Sequence, residues 1–260
     1  MTDTFSSSVF SLQNVTFDVP ERRLIDDMSL EIHRGVTALI GRNGSSKSTL
    51  LRMLAAQTRP GAGRILYEGT ALSERRGRAL ARELAFLPQV TPPTEGLSLI
   101  ELVRLGRYPW RGALGRLGPD DHRLVEAAIT QCGLSGLEDR LVDTLSGGER
   151  QRGWIAMMLA QEARTLLLDE PISALDIAHQ IEVLGLLART AKARGISSVI
   201  VLHDVNMALR FCDHVVALQD GKVVVEGASD VLLNPDHLEK IYGVRMQVLP
   251  ATPSAAIHPL

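Results

Sequence analysis

The fold is decided by an apolar run that leads into a glycine-rich loop and then into a helical pattern. The run is Val36–Ile40, and the helical pattern covers Lys47–Ala56. The loop and the first helical residues are Gly41-Arg42-Asn43-Gly44-Ser45-Ser46-Lys47-Ser48-Thr49. A strand, a glycine-rich loop and a helix in this order form a cradle whose backbone N–H groups point at phosphates. We therefore predict that Lys47 reaches the β- and γ-phosphates of a nucleotide and that Ser48 binds Mg²⁺.

One position of this loop departs from the usual pattern. A glycine normally precedes the lysine, whereas this chain has Ser46. If the backbone there requires a positive φ, a serine costs about 1 kcal/mol, and its Cβ crowds the phosphates. The alternative is that the loop tolerates the side chain and the hydroxyl donates a further hydrogen bond. The sequence leaves both interpretations open.

Other short apolar runs alternate with helical patterns along the chain. Leu84–Leu87, Thr165–Leu168 and Ser198–Leu202 are typical of strands buried on both faces of a parallel sheet. Helical patterns at Ile177–Ala193 and Val205–Phe211 lie beside them. The alternation predicts an α/β fold.

Two regions interrupt that alternation with antiparallel signals. Phe10–Val19 and Arg64–Gly69 carry β-branched residues in alternation, which predicts a small antiparallel sheet. Asp220-Gly221 is a hairpin turn signal between Val215–Leu218 and Lys222–Val225.

A third region is helical. Leu99–Leu105, Arg123–Cys132 and Arg152–Leu159 have its clearest helical patterns. We predict one domain over residues 1–260, divided into a nucleotide-binding core at about 1–91 and 164–248, a helical subdomain at about 92–163, and a short irregular tail at 249–260.

Composition limits the function classes. The 260 residues are 45% hydrophobic, and a net charge of −2 argues against nucleic-acid binding through a basic surface. Two cysteines, Cys132 and Cys212, provide no disulfide framework. No stretch approaches the roughly 20 apolar residues of a membrane helix, so we expect contact with a membrane only through a partner.

Two carboxylates follow the strand predicted at Thr165–Leu168. The carboxyl end of a parallel strand lies beside the phosphate loop, and successive strand residues face opposite sides. We therefore expect Asp169 to hold Mg²⁺, through a water, and Glu170 to polarise the attacking water. His203 follows the next strand, where we expect it to sense the γ-phosphate and hold Glu170 in place.

A second anion-binding pattern is found in the segment Leu145-Ser146-Gly147-Gly148-Glu149-Arg150-Gln151. Ser146 and Glu149 have the spacing of a helix-capping box, and the glycines let a phosphate approach the helix N-terminus. One ATP hardly needs two cradles from one chain. We therefore predict a head-to-tail homodimer in which Ser146 and Gly148 face the γ-phosphate held by the other chain, with Asp176 at the same interface. By local pattern alone, a plain capped surface helix is the alternative.

These motifs, in this order and spacing, resemble ATP-binding cassette (ABC) ATPases along nearly the whole chain. The resemblance implies a P-loop NTPase with a RecA-like core, a small antiparallel β-subdomain and a helical insertion. It implies ATP and Mg²⁺ as cofactors and ATP hydrolysis as the activity. It also implies that Gln89 contacts Mg²⁺ and water and links the ATP site to the helical insertion. The residue at the adenine-stacking position is Val19, where an aromatic residue is usual.

A closer resemblance is to ATPases of iron–siderophore and vitamin B12 importers, and within them to iron(III)-hydroxamate (ferrichrome) importers. The segments that carry it are Gly106–Trp110 with the following Gly112-Ala113-Leu114-Gly115-Arg116, and Ser173–Gln180. It implies an ATPase that energises uptake of hydroxamate-bound iron. One alternative is another iron chelate, haem or vitamin B12 as cargo. Another is a nucleotide-binding regulatory module with low turnover, a hypothesis that the serine at position 46 supports.

The resemblance also implies partners and a location. A short cytoplasmic helix of an integral membrane permease docks beside the helical insertion, in a groove lined in part by Leu97–Trp110. Tyr108, Pro109 and Trp110 suit such a surface, although Trp110 equally suits local packing. A periplasmic or surface siderophore-binding protein acts indirectly. The expected location is peripheral, on the cytoplasmic face of the bacterial inner membrane.

A soluble cassette for repair or translation usually has two cassettes or long inserted arms, and a kinase or GTPase leaves the segment at Ser146 unexplained.

Overall fold

The computed structural model describes residues 8–173, 175–249 and, for the backbone alone, 256–259. The strands are β1 (Ser8–Val19), β2 (Arg22–His33), β3 (Val36–Ile40), β4 (Ala62–Tyr67), β5 (Thr70–Ala71), β6 (Leu84–Leu87), β7 (Thr165–Leu168), β8 (Ser197–Val201), β9 (His214–Gln219), β10 (Lys222–Ala228), β11 (Met246–Leu249) and β12 (Ala256–Pro259). The α-helices are α1 (Lys47–Leu54), α2 (Gly77–Ala81), α3 (Leu99–Leu105), α4 (Tyr108–Arg111), α5 (Pro119–Gln131), α6 (Gly147–Ala160), α7 (Ile177–Arg194), α8 (Val205–Phe211) and α9 (Pro235–Tyr242). Short 3₁₀ helices lie at Leu72–Glu74, Val142–Thr144 and Ser229–Leu233.

The central sheet has the strand order β10-β9-β3-β8-β7-β6. Its neighbours pair in parallel except for β10, which is antiparallel to β9. The strands predicted at Val36–Ile40, Leu84–Leu87 and Thr165–Leu168 have the predicted bounds, and β8 begins one residue earlier than predicted. The α/β fold class is thereby confirmed.

Both faces of this sheet are covered, as its unbroken apolar strands require. Within β3, Ala38 and Ile40 join one apolar cluster and Leu39 joins the other. Within β7, Leu166 and Leu168 alternate with Leu167 in the same way. Helices α6 and α7 contribute to the first cluster, and α1 contributes to the second.

The predicted antiparallel sheet is also present, in the order β2-β1-β4-β5. Sequence reasoning found β1 and β4 but missed β2, the strand that pairs with β1 over its whole length. In β2 the adjacent charged residues Asp26 and Asp27 interrupt the alternation. Asp27 has φ 47° and Asn14 opposite has φ 50°, so the ladder is locally irregular there.

The hairpin predicted at Asp220-Gly221 joins β9 to β10 and also connects the two sheets. Both residues have positive φ, 48° and 75°, as a type I′ turn requires. The N–H of Asp26 donates to the carbonyl of Gly221 at 3.2 Å, and Lys222 Nζ lies 3.0 Å from Asp26 Oδ2. The β2 strand is therefore fixed against the central sheet near its N-terminal end.

Residues 92–163 are helical as predicted, although two bounds differ. Helix α5 begins at Pro119, earlier than the predicted Arg123, and α6 begins at Gly147 instead of Arg152. Each start follows a local N-terminal signal, Pro119 in the first turn and the Ser146 cap. Among the described residues, no helix is both long and apolar enough to cross a bilayer.

The prediction of an irregular tail at 249–260 is wrong for part of that segment. Ala256–Pro259 pair antiparallel with Met246–Leu249. The tail's remaining predicted residues, 250–255 and 260, lie outside the described residues. The sequence reasoning also missed α9, which Asn234 caps by accepting from the N–H of Asp236 at 2.9 Å.

A buried ion pair holds the helical region together. Asp121 has a side chain that is 1% exposed and accepts from Arg107 Nε at 2.9 Å and from Arg111 Nε at 2.6 Å. Arg107, the N-cap residue of α4, also donates from Nη1 to the carbonyl of Ala160 at 2.7 Å, so the pair joins α4, α5 and α6. Burial alone would raise the pKa of Asp121, but the N–H of Gly118 and the two guanidinium groups lower it to about 2.

We predict that Asp121→Asn lowers the free energy of unfolding at pH 7 by about 3 kcal/mol, because it leaves Arg107 buried without its counter-charge. The folded-state pKa lies below the unfolded one, so this stabilisation is present above about pH 4 and is lost as the pH falls toward 2. Urea unfolding at several pH values measures both effects.

The matched control is Asp120→Asn, whose carboxylate is 82% exposed and pairs with Arg123, which is also exposed. It should change the free energy of unfolding by no more than about 0.5 kcal/mol. Equal effects of the two substitutions would show that the buried pair contributes nothing particular to stability.

Candidate functional site

The phosphate loop connects β3 to α1 and is fixed from both ends. At Gly41, with φ 138°, a Cβ would overlap the carbonyl oxygen of Leu218 in β9, so the turn requires glycine. Lys47 Nζ donates to the carbonyls of Gly41 and Arg42, each at 2.9 Å, and lies 3.5 Å from Ser45 Oγ. Burial lowers the pKa of Lys47, against the opposing effect of the nearby carboxylates. The ammonium group is thus held inside the loop by neutral oxygens.

A cavity of about 520 Å³ opens onto this loop. Its lining contains nine residues predicted from the sequence and two that were not, which are Arg22 and Leu24. The nine are Asn43, Gly44, Ser46, Lys47, Ser48, Thr49, Gln89, Glu170 and His203. Sites for small ligands commonly have this volume, and the polar lining suits a charged one.

Of the three residues predicted to hold Mg²⁺, Ser48 and Asp169 have contacts that suit the ion, whereas the side-chain nitrogen of Gln89 donates to Glu170. Ser48 Oγ donates to Asp169 Oδ1 at 2.8 Å. Asp169 Oδ2 is buried and has no hydrogen-bond partner among the described residues. Burial raises the pKa of Asp169, while the Ser48 hydrogen bond opposes the rise. An unsatisfied carboxylate oxygen beside a hydroxyl is the oxygen donor set that Mg²⁺ prefers, so Ser48 and Asp169 are suited to hold the ion.

Glu170 is held from two sides. Gln89 Nε2 donates to its Oε2 at 2.7 Å, and His203 Nε2 lies 2.6 Å from its Oε1. The side chain is 14% exposed, and the backbone has φ 50°, a left-handed conformation that non-glycine residues seldom adopt. The structure therefore brings Gln89, Glu170 and His203 together as the sequence predicts. Strain at a fixed carboxylate is typical of functional sites.

Ser46 has a backbone conformation that favours glycine. Its φ is 77° and its ψ is 19°, so it lies in the left-handed region that favours glycine. Its side chain makes no capping hydrogen bond to α1. The residue is buried and lines the cavity. The structure therefore has the positive φ that the sequence analysis considered for Ser46. A serine in this conformation costs conformational free energy that a glycine would not.

The second anion-binding pattern forms the predicted capping box. Ser146 Oγ accepts from the N–H of Glu149 at 3.3 Å, and Glu149 Oε2 accepts from the N–H of Ser146 at 2.8 Å. These hydrogen bonds to Ser146 lower the pKa of Glu149. At Gly148 a Cβ would lie 3.0 Å from the ring of His179, so packing within the chain also favours a small residue there, whereas the space beside Gly147 is open.

Asp176 lies on the same surface as this segment. It accepts from the N–H of His179 at 2.9 Å and thereby caps α7, and its Oδ2 lies 2.8 Å from His179 Nδ1. Because the His179 ring also faces Gly148, Asp176 and the capping box are connected through that ring. None of Ser146, Gly147, Gly148, Glu149 and Asp176 is among the described residues that line the phosphate cavity.

The structure does not bring Val19 to the cavity. Val19 is 36% exposed and is absent from the described lining, where β2 instead contributes Arg22 and Leu24. Sequence reasoning missed these two because it missed β2. A usable signal was present, since Pro20-Glu21 is a short turn after β1 and the alternate residues of a returning strand share one face.

Only part of the predicted docking segment faces solvent. Trp110 Nε1 donates to the carbonyl of Gln161 at 2.8 Å, and the ring lies between the guanidinium groups of Arg82 and Arg107, 5.0 and 5.3 Å from its centroid. Pro109 is buried, whereas Tyr108 is 53% exposed. Trp110 is therefore packed locally, and it is also 37% exposed, so part of its side chain faces solvent beside Tyr108.

Comparisons with known proteins agree with this geometry. A family model described as ABC transporter matches residues 25–173. The iron(3+)-hydroxamate import ATP-binding protein FhuC of Bacillus subtilis is 38% identical over 88% of this chain and 86% of its own. The achromobactin transport ATP-binding protein CbrD of Dickeya dadantii is 39% identical over 92% and 89%. The ferric enterobactin transport ATP-binding protein FepC of Escherichia coli is 38% identical over 91% and 88%.

Solved structures give the same result for the fold. A dimeric bacterial ABC transporter cassette is 26% identical, with a TM-score of 0.75 over 85% of this chain and 98% of its own. An ATP-binding cassette of an ABC transporter in its ADP conformation is 22% identical, with a TM-score of 0.79 over 89% and 97%. Since the family model covers more than half of the sequence and these relatives align with most of it, the chain belongs to the ABC transporter family, as one of its ATP-binding cassettes.

Proposed function

We propose that this chain is the ATP-hydrolysing subunit of a bacterial ABC importer that takes up iron(III)-hydroxamate siderophores. The observation that carries the catalytic part is the position of Glu170, fixed between Gln89 and His203 in the wall of the phosphate cavity. A carboxylate held by two side chains beside a phosphate cradle is suited to orient and polarise an attacking water.

The roles of the other residues follow from their contacts. Bound Mg²⁺ would neutralise charge on the phosphates of ATP. Ser48 and Asp169 would hold that ion, as the oxygen donors already paired at 2.8 Å. Lys47 would exchange its two loop carbonyls for phosphate oxygens, which are stronger acceptors. His203 and Gln89 would keep Glu170 in the orientation that places its carboxylate toward the water.

A homodimer completes this proposal. Ser146, Gly148 and Asp176 form one surface around His179, outside the described lining of the chain's own phosphate cavity. A capped helix N-terminus attracts phosphate through its dipole and its free N–H groups. We propose that this surface faces the ATP held by a second copy. The dimeric cassette among the similar structures supports the arrangement.

The cargo is the finer part of the proposal. The relatives named for iron(3+)-hydroxamate, achromobactin and ferric enterobactin are similar to this chain to almost the same degree, 38 to 39% identity. We favour hydroxamate because of the segments Gly106–Trp110 and Ser173–Gln180. The chain would bind peripherally at the cytoplasmic face of the inner membrane, where exposed Tyr108 and Leu105 are available to a permease helix.

One observation favours a second candidate, a nucleotide-binding regulatory module with low turnover. Ser46 has a strained conformation in the cavity wall, where its Cβ adds bulk that glycine would not. A Cβ that crowds the bound phosphates lowers the affinity for the nucleotide, because the phosphates then lose close contacts with the loop. Measurement of turnover separates this candidate from the transport ATPase.

We predict that Glu170→Gln lowers steady-state ATP turnover by about 1,000-fold, because the amide cannot accept the proton of the attacking water. ATP binding should persist, so the variant should accumulate as an ATP-bound dimer with Mg²⁺ in size-exclusion chromatography. Glu68→Gln is the control, since Glu68 also has a positive φ, 47°, but pairs with Arg34 outside the cavity lining. A Glu170→Gln protein that stays monomeric with ATP and Mg²⁺ would contradict the proposed mechanism.

We predict that Ser46→Gly raises the free energy of unfolding by about 1 kcal/mol, because glycine adopts φ 77° without the Cβ penalty. Ser45→Gly should have the opposite sign, since Ser45 does not have a positive φ and its hydroxyl faces Lys47. Thermal unfolding measures both. Wild-type ATP turnover within about ten-fold of the Ser46→Gly variant would exclude the low-turnover module.

The cargo is tested by uptake of radiolabelled iron in a strain that lacks this gene. We expect loss of uptake from ferrichrome and its restoration by the wild type or by Glu68→Gln, but not by Glu170→Gln. Iron bound to enterobactin serves as the comparison. Restoration of enterobactin uptake alone would reject the hydroxamate assignment while leaving the importer intact. Unimpaired uptake of both in the deletion strain would reject the importer itself.

A further inference from the structure

Two residues of the cavity wall have no role in the proposed hydrolysis. Arg22 and Leu24 come from β2, while the other lining residues come from the phosphate loop, α1 and the carboxyl ends of central strands. Arg22 Nη2 donates to the carbonyl oxygen of Gly44 at 3.2 Å. Its guanidinium group is thereby held at the edge of the phosphate loop, although the residue is solvent-exposed.

The alternation of β2 separates Arg22 from its neighbour. Residues two apart on a strand share a face, so Arg22 and Leu24 point to the cavity and Arg23 points away. Arg23 Nε donates to Asp18 at 2.9 Å, and its Nη1 donates to Asp26 at 3.0 Å. The contact of Arg22 among the described residues is instead a neutral carbonyl, which leaves the charge of its flat guanidinium group uncompensated.

The position of this pair along the cavity indicates what it contacts. Glu170 and His203 lie where the γ-phosphate reacts, and Lys47 and Ser48 follow at the centre of the loop. A nucleotide oriented in this way extends its base away from Glu170. Arg22 and Leu24 are the part of the lining that β2 contributes, and the contact of Arg22 with Gly44 places this part at the edge of the phosphate loop. A planar cation beside a branched apolar side chain is suited to an aromatic ring.

We propose that Arg22 stacks its guanidinium group on the adenine base of ATP and that Leu24 packs against the same ring. The inference rests on the proposed function for the binding of ATP itself. Guanidinium planes stack on nucleobases, and the attraction is greater for a flat cation than for a lysine ammonium. Val19, outside the described cavity lining, contributes no such contact.

Arginine also binds phosphates, so the experiment has to distinguish base from phosphate. Equilibrium binding of ATP and of inorganic tripolyphosphate to the full chain, without added Mg²⁺ so that neither ligand is hydrolysed, makes this distinction by calorimetry. Arg22→Ala should weaken ATP binding by about ten-fold and change tripolyphosphate binding by less than about two-fold. Arg22→Lys, which keeps the charge but not the plane, should weaken ATP binding by about three-fold or more.

Arg23→Ala is the matched control, because it removes the same charge one residue away on the opposite face of β2. It should leave the affinities for both ligands unchanged. Thermal unfolding without nucleotide shows whether each variant is folded. If Arg22→Ala is unstable, the comparison of ATP with tripolyphosphate is made with Arg22→Lys. Equal weakening of ATP and tripolyphosphate by Arg22→Ala would overturn the proposal in favour of a phosphate contact. Unchanged ATP binding would overturn it outright. A wild type that fails to bind ATP even after Mg²⁺ is added would overturn the proposed function as well.

Discussion

The parallel pairing of β3, β7 and β8 is the constraint on which the site depends. Leu39 pairs with Val201, and Leu168 pairs with Ile200, so the three strands end at one edge of the sheet. The residues that follow them are the phosphate loop, the pair Asp169-Glu170, and His203. Ligand sites of open α/β sheets form at this edge because the chain leaves every parallel strand there. The distances of 2.8 Å between Ser48 and Asp169 and of 2.6 Å between His203 and Glu170 follow from that register.

The same register explains how much of the fold the sequence could predict. Strands buried on both faces must be apolar throughout, so Val36–Ile40 and Thr165–Leu168 are recognisable without any partner. The β2 strand is different, because Asp26-Asp27 and a local irregularity break its alternation. Its own pattern is therefore weak, and the turn at Pro20-Glu21 is the signal that the chain returns beside β1. The pair β11 and β12 lacks a signal for a similar reason. Half-buried residues alternate with exposed ones in β11, over only four positions.

Prediction of the site was limited in the same way. Glu170 and His203 were found because each follows a strand whose end is fixed by the sheet. Arg22 and Leu24 depend on β2 and were missed with it. Trp110 could not be assigned from its own segment alone, since two of its contacts, Arg82 and Gln161, are distant in sequence. The role of a residue can thus be predicted from the sequence where the sheet fixes its position. It remains ambiguous where a side chain distant in sequence determines whether the residue is packed or exposed.

Two non-glycine residues with left-handed backbones lie in the lining of this cavity, Ser46 at φ 77° and Glu170 at φ 50°. Each conformation costs free energy and persists only where the surroundings over-determine it. The loop at Ser46 is fixed by Gly41 against Leu218 and by the hydrogen bonds of Lys47. Glu170 is fixed by its two side-chain partners. Ser46 therefore keeps its positive φ without a capping hydrogen bond from its own side chain. The contacts that hold the loop are made by Gly41 and Lys47, and replacing Ser46 by glycine would leave them unchanged.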